Sequence, residues 1–199
     1  MKSDQLPDFV AAEEHIKMLL RENMPDLQYH NVDHILDVLD AAMLIGENEK
    51  LTENEIKMLR LAALLHDIGF IQSSDNHEEL GSEMVTDILP AYGFNADQIK
   101  VIQGMIMATR IPQSPKTKLE QVICDADLDY LGRSDFYEIG NRLFEELSSN
   151  GIVKTDREWN LLQKKFLESH CYHTNFSKRN REGFKQKRLE EIIDKLKLL

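Results

Sequence analysis

The chain has 199 residues, of which 42% are hydrophobic and 30% charged, and its net charge is −11. This length and composition are typical of one globular domain with a hydrophobic core. Such an acidic surface repels nucleic acids, so we expect no nucleic acid polymer as a partner, and an anionic substrate would need a local cation.

The beginning of the chain is acidic, with Asp8, Glu13 and Glu14, and is not typical of a signal peptide or a transit peptide. No uninterrupted apolar run approaches the roughly 20 residues that cross a bilayer. The 2 cysteines are too few for a disulfide framework. We therefore expect a cytoplasmic protein with no membrane partner, and the sequence leaves a homodimer open.

Apolar residues recur with helical spacing, and the alternation that is typical of strands is nearly absent. The predicted helices span about 8–22, 31–46, 53–67, 76–90, 95–109, 117–131, 134–149, 156–170 and 175–198. Thr52 and Glu55 predict a capping box at the third helix, and the two prolines of RIPQSPKT predict a loop. The sequence thus predicts an all-α fold and a single domain over residues 1–199.

The apolar run LAALLHDIGF, residues 61–70, ends with His66 beside Asp67. A buried carboxylate is costly unless it is paired or bound to a metal. Neighbouring residues on a helix point about 100° apart, so the pair can converge on one ion only near a helix end. Gly69 is typical of such an end.

Three further stretches carry side chains that bind metals. In YHNVDHILDV, His30 and His34 are four residues apart, so on a helix both would project from one face. DNHEELG contributes His77. VICDADLDYLG interrupts an apolar helix with three carboxylates, Asp125, Asp127 and Asp129. Each group alone is compatible with a surface or hydrogen-bonded role, but the combination in buried helices indicates a metal site.

The ordered elements HNVDH, LLHDIG and DAD resemble the HD superfamily of metal-dependent phosphohydrolases, whose signature is H…HD…D on an all-α core. NHEELG, DADLDYLGRSDF and FLESHCYHT resemble a small bacterial subgroup of predicted HD phosphohydrolases. The resemblance covers most of the chain. It implies an HD-domain helical bundle around a central metal site, with a core at about 29–132 and the C-terminal helices, about 133–199, packed on it.

The resemblance also implies four metal ligands, His34, His66, Asp67 and Asp127. His30 lies where cyclic-nucleotide phosphodiesterases of the wider superfamily have a histidine that protonates the leaving group. Asp125 stays an alternative fourth ligand. On a helix it would point roughly 160° away from Asp127, so only one of the two can face the ion.

The expected cofactor is one tightly bound divalent ion: manganese, iron, nickel, cobalt, zinc or magnesium. His77 would contact the substrate or hold a second, weaker ion together with Asp67. The bound ion would lower the pKa of a water, which Asp67 would hold or deprotonate, while His30 would protonate the leaving oxygen. Arg110 and Arg133 are predicted to bind phosphate, because the planar guanidinium suits that role.

These roles predict a hydrolase of a small-molecule phosphomonoester or phosphodiester, with a nucleotide-derived substrate favoured. A di-iron oxygenase of the same fold is the first alternative, disfavoured by the few histidines after the HD pair. The second is a metal-binding regulatory module without turnover, disfavoured because all the ligands are present. The segment from His170 to Thr174 would either close over the site or form a packed corner.

Overall fold

A computed structural model describes residues 6–198, so the predicted domain bounds at 1 and 199 lie outside the described residues. These residues form ten α-helices: α1 Phe9–Asn23, α2 Val32–Asn48, α3 Glu53–Leu65, α4 His77–Ile88, α5 Ala96–Thr109, α6 Lys118–Asp127, α7 Phe136–Ser149, α8 Asp156–Ser169, α9 Asn175–Asn180 and α10 Glu182–Leu198. Short 3-10 turns at Ile68–Ile71, Leu89–Tyr92 and Asp129–Gly132 follow α3, α4 and α6. The described chain contains no β-strand, so the all-α prediction is confirmed. None of its helices combines the length and apolar composition that crossing a bilayer requires.

Side-chain caps set where several helices begin. The Thr52 side chain accepts a hydrogen bond from the Glu55 amide, and the Glu55 carboxylate accepts one from the Thr52 amide at 2.8 Å. Asn95 and Gln98 form the same reciprocal pair at the start of α5. Such caps satisfy amide groups that have no partner inside the helix. The predicted capping box at Thr52 is confirmed, and it fixes the point from which α3 runs inward.

Helix α3 lies at the centre of the larger hydrophobic cluster and packs against α1, α2, α5 and α6. Its buried residues are Met58, Leu59, Leu61, Ala62, Ala63, Leu64 and Leu65. Full burial of a leucine side chain contributes about 1.5–3 kcal/mol, so this run anchors the helix firmly. His66 and Asp67 follow directly and are therefore placed deep in the interior.

A second hydrophobic cluster joins the end of α6 to the C-terminal helices. Its buried members are Tyr29, Leu128, Tyr130, Leu131, Phe136, Leu167 and Ile192. Helix α10 packs against α8 and against the 3-10 turn that follows α6. The candidate site residues lie where the two clusters meet, because Tyr29 of the second cluster packs on His34 of α2.

Three predicted helices are shorter in the structure than the sequence suggested. The helix predicted at 53–67 ends at Leu65, and the one at 117–131 ends at Asp127. The segment predicted as one helix at 175–198 is broken at Arg181. A Cβ atom at Gly132 would lie 2.5 Å from the Arg181 carbonyl oxygen, and the Arg181 guanidinium binds Asp129 at 2.8 Å. Close backbone packing and an ion pair therefore fix the break.

Gly69 has a different role from the helix-ending one that the sequence suggested. The glycines with positive φ among the described residues are Gly93 and Gly151. A Cβ atom at Gly69 would instead overlap the carbonyl oxygen of His77 and lie 2.9 Å from the Gly81 amide nitrogen. Glycine is required here because the start of α4 approaches the 3-10 turn so closely. This contact brings His77 beside the His66–Asp67 pair.

Candidate metal centre and its cavity

The structure brings His34, His66 and Asp127 together in the interior, with one potential ligand atom of each within 4.8 Å of the others. The two Nε2 atoms of the histidines are 3.4 Å apart. Asp127 Oδ1 lies 3.3 Å from His34 Nε2 and 3.7 Å from His66 Nε2. Asp67 Oδ2 lies 3.2 Å from His66 Nε2 and 3.5 Å from His34 Nε2. The four predicted ligands thus converge on one point.

A local hydrogen bond orients the His66 ring, and a helix cap and an aromatic contact place His34. His66 follows the last turn of α3, and its Nδ1 lies 2.8 Å from the Ala63 carbonyl oxygen. That nitrogen donates its proton to the carbonyl, so the lone pair of Nε2 faces the centre. The Asn31 side chain caps α2 by accepting from the His34 amide at 3.1 Å. The ring of Tyr29 packs on the His34 ring with centroids 4.5 Å apart.

The charges at this point call for a cation. Burial opposes protonation of His66, but the charges of Asp67 and Asp127 and the hydrogen bonds to Asp67 and the Ala63 carbonyl together outweigh it and raise the pKa of His66 to about 9. Burial also opposes ionisation of Asp67, yet the neighbouring histidines hold the pKa of its carboxyl well below the usual range. Asp67 Oδ2 is buried without a donor aligned on it. Two carboxylates and two imidazole lone pairs match a divalent transition metal, so the residues present fit such an ion.

Asp125 and Asp127 have separate tasks. Asp125 is 0% exposed and accepts hydrogen bonds from the His173 amide at 2.8 Å and the Thr174 amide at 2.8 Å. The Thr174 hydroxyl donates a third at 2.6 Å. Asp125 therefore faces the segment before α9, away from the centre, and the alternative of Asp125 as the fourth ligand is wrong. Its partners show that the segment from His170 to Thr174 forms a packed corner.

His77 and Glu78 lie next to the centre at the start of α4. His77 Nε2 is 3.6 Å from Asp67 Oδ1 and 3.4 Å from Glu78 Oε1. Glu78 is buried. His77 Nε2 thus lies between one oxygen of Asp67 and one oxygen of Glu78. A second ion held by Asp67 and His77, or a substrate contact by His77, stays a prediction.

His30 is not on a helix, so the prediction that His30 and His34 share a helix face is wrong. Helix α2 begins at Val32 with Asn31 as its cap. His30 is held instead by Glu146 of α7, whose Oε1 lies 2.5 Å from His30 Nδ1. The same carboxylate accepts the His30 amide at 3.0 Å and the Tyr29 amide at 2.8 Å. These hydrogen bonds to Glu146, and not a helix, fix the position of His30.

The environment of His30 favours its protonated form. Burial lowers the pKa of His30, but the bond to Glu146 and the charge of Asp67 more than compensate and raise it. The ring stacks on Phe70 with centroids 4.4 Å apart, and Phe70 packs on His77 at 4.3 Å. Since Glu146 occupies Nδ1, any proton that His30 exchanges with a ligand must be on Nε2.

Neither Arg110 nor Arg133 lines the cavity that His30, Asp67 and Asp127 share, and Arg133 lies instead with His34 on a separate, smaller pocket. The Arg110 guanidinium pairs with Glu79. Arg133 binds Asp37 at 2.8 Å and Asp135 at 2.5 Å. Their predicted role in phosphate binding stays a prediction, and the geometry does not favour it because acidic side chains already engage both guanidinium groups.

A cavity of about 240 Å³ opens onto the centre and extends between the 3-10 turn after α6 and helices α7 and α8. At the end nearest the centre its lining includes His30, Asp67, His77, Glu78 and Asp127. The site therefore combines a buried ligand cluster with a chamber that can hold a small molecule.

Two residues of this site, Glu146 and Phe70, were not singled out from the sequence. Glu146 lies in FEELSS beside Glu145, and nothing local distinguishes the buried carboxylate from the exposed one. Phe70 follows the HD pair within the apolar run, so its position next to a reactive pair was the available signal.

The fold and this buried histidine–aspartate cluster define an all-α domain built around a metal-binding centre. Residues 31–129 match the model of the HD domain. The chain therefore belongs to the HD superfamily, as the resemblance predicted.

Two related proteins bear on this assignment. An uncharacterized protein from Clostridium beijerinckii is 35% identical over 88 residues, which are 43% of this chain and 55% of that protein. The chain thus spans about half the length of that curated relative. The crystal structure of a predicted HD superfamily hydrolase from an uncultured Thermotogales bacterium shares the fold, with a TM-score of 0.62 and 22% identity. That match covers 92% of this chain and 90% of the other.

Proposed function

We propose that the protein is a metal-dependent phosphohydrolase that cleaves a small-molecule phosphate ester. The observation that carries the proposal is the convergence of His34, His66, Asp67 and Asp127 at one end of a cavity, with His30 in its wall. Membership of the HD superfamily and the structural likeness to the Thermotogales protein, a predicted HD superfamily hydrolase, support it. A nucleotide-derived ester remains within this proposal, as does a cytoplasmic location.

The proposed reaction assigns a task to each side chain. A divalent ion at the centre would lower the pKa of a bound water and neutralise a phosphoryl oxygen. Asp67 orients the attacking water and accepts its proton on Oδ1, the oxygen that does not face the two histidines of the centre. Water adds to phosphorus, the ester P–O bond breaks, and His30 Nε2 donates a proton to the departing alkoxide.

The test is turnover of p-nitrophenyl phosphate and bis-p-nitrophenyl phosphate by protein supplemented in turn with manganese, nickel, cobalt, zinc, iron and magnesium. We expect metal-dependent hydrolysis that Asp127→Asn abolishes together with metal binding. Asp87→Asn is the matched control, because Asp87 is an exposed carboxylate of α4 that faces no ligand of the centre. No hydrolysis with any metal would contradict the proposal, and two bound irons with oxygen consumption would support the di-iron oxygenase.

A further inference from the structure

The far part of the cavity is walled by apolar side chains. Leu131 comes from the 3-10 turn after α6, Leu143 and Leu147 come from α7, and Trp159 and Phe166 come from α8. These side chains face a chamber that continues from the metal centre, so a ligand with its reacting group at the centre must place its remainder here. Removing apolar groups of a ligand from water into such a chamber is favourable.

The charged groups of the lining are all confined to the end at the centre, and they are carboxylates and imidazoles. Among the described residues, no lysine or arginine lines the cavity. Each additional phosphate of a ligand would bring negative charge that needs a positive partner when it leaves water. With Arg110 paired to Glu79 and Arg133 to Asp37, the walls provide no such partner.

Beyond the centre, the lining offers few hydrogen-bonding groups, and most of them belong to large apolar side chains. Thr109 donates its hydroxyl proton to the Ile106 carbonyl at 2.8 Å, and Gln163 supplies an amide from α8. The other polar groups are the hydroxyls of Tyr29 and Tyr130 and the indole N–H of Trp159. A ligand portion with many hydroxyl or amide groups would leave most of them without partners, which costs free energy. The volume of about 240 Å³ exceeds that of the engineered cavities of about 150 Å³ that hold benzene. It suits one or two rings or a medium-length alkyl chain.

We propose that the organic part of the substrate is an uncharged apolar group that fills this chamber, so that the enzyme prefers phosphate monoesters of apolar alcohols over nucleotides. This inference rests on the proposed phosphohydrolase function. Substrate selection then lies in the contact between the alcohol and the walls supplied by α7 and α8.

A series of n-alkyl phosphates from ethyl to octyl tests the inference, because all members have a primary alkoxide leaving group of similar intrinsic reactivity. Each methylene buried from water should lower KM by about fourfold until the chamber is full. Glycerol phosphate and nucleoside 5′-monophosphates, also primary esters, should have KM values at least tenfold above that of hexyl phosphate. Equal KM values along the series, or lower ones for the nucleotides, would overturn the inference.

Adjacent leucines of α8 offer matched variants. Leu162 lines the cavity and is 40% exposed, whereas Leu161 is 48% exposed and does not line it. Both positions are open enough to accept a carboxylate without unfolding the protein. Leu162→Asp should flatten the dependence of KM on chain length, and Leu161→Asp should preserve it. The same response in both variants would overturn the assignment of this wall.

Binding of n-alkylphosphonates, measured by calorimetry, separates this inference from the proposed function. Affinity should rise from methylphosphonate to hexylphosphonate in the wild type and stay flat in Leu162→Asp. If affinity rises while no ester is hydrolysed, the phosphohydrolase proposal fails and the apolar chamber stands. If esters are hydrolysed but affinity and KM do not change with the length of the alkyl chain, the phosphohydrolase proposal stands and the inference fails.

Discussion

The Nδ1 atom of His30 lies 2.5 Å from Oε1 of Glu146, although 116 residues separate the two in the chain. The other oxygen of Glu146 accepts the amides of Tyr29 and His30. One carboxylate of α7 thereby fixes both the backbone and the ring at the cavity wall. The contact ties the C-terminal helices to the proposed chemistry.

Glu146→Gln should lower kcat with little effect on KM, since it alters the proton donor without removing a substrate contact. Glu146 helps to raise the pKa of His30, so its neutralisation lowers that pKa. The acid form of His30 is the required form, and the alkaline limb of kcat should therefore move to lower pH in the variant. Glu145→Gln, which changes the neighbouring exposed carboxylate, is the control. An unchanged alkaline limb in Glu146→Gln would remove Glu146 from this role.

His30→Ala should lower kcat while the metal content stays unchanged. General acid catalysis is typically worth about 10²–10⁴-fold, so the loss should be of that order for a poor leaving group such as a nucleoside or alkyl alkoxide. It should shrink for p-nitrophenolate, which departs without a proton. Rates for both substrate types and metal content by elemental analysis check this prediction. Equal losses for good and poor leaving groups would contradict it.

Asp125 and Asp127 should respond differently to the same substitution. Asp127→Ala should release the metal, because its oxygen lies 3.3 Å from His34 Nε2 at the centre. Asp125→Ala should retain the metal but lower the free energy of unfolding by several kcal/mol, since it leaves the amides of His173 and Thr174 without their acceptor. Metal content and urea denaturation distinguish the two. Metal loss from Asp125→Ala in a folded protein would contradict the assignment.

Much of the centre was predictable because its signals are local. His66 and Asp67 stand at the end of a five-residue apolar stretch, residues 61–65, whose burial is evident from composition. Asp127 is the last residue of α6, and Asp125 lies two residues before it. Helical geometry alone requires their side chains to point in different directions. The resemblance to the HD superfamily, which rests on the order of these local motifs, selected these side chains, whereas helical geometry alone left Asp125 as an alternative.

The surroundings of the centre depend on contacts between distant segments, which no local pattern encodes. His30 looked helical by its spacing from His34, yet a carboxylate of α7 holds it before the helix begins. Arg110 had the chemistry to bind phosphate, but the fold places Glu79 against it. In both cases the role of the side chain depends on a carboxylate from a distant segment, Glu146 for His30 and Glu79 for Arg110.

The buried His170 should make the free energy of unfolding depend on pH. It is buried where α8 ends, and burial together with the charge of Lys185 lowers the pKa of His170 to about 4. Glu182, Asp127 and His173 also act on it, with the two carboxylates opposing the shift. Between the ordinary value near 6.5 and about 4, the unfolded chain binds a proton that the folded chain does not. The free energy of unfolding should therefore fall as pH drops through this window, by on the order of 3 kcal/mol in total from this residue.

His170→Phe should reduce this fall in the free energy of unfolding between about pH 6.5 and pH 4, which is the acid limb of the stability profile. The His170 ring lies nearly parallel to Phe166 with centroids 6.0 Å apart, and its Nε2 is buried without a partner, so an apolar ring suits the position. Lys185 keeps its 2.6 Å bond to the carbonyl oxygen of residue 170 in the variant, because that acceptor belongs to the backbone. Phe166→Leu is the control: it disturbs the same packing but removes no titratable group, so its acid limb should match the wild type. Urea denaturation at intervals from pH 4 to pH 7 measures the effect, and superimposable acid limbs for His170→Phe and the wild type would show that His170 does not titrate as described.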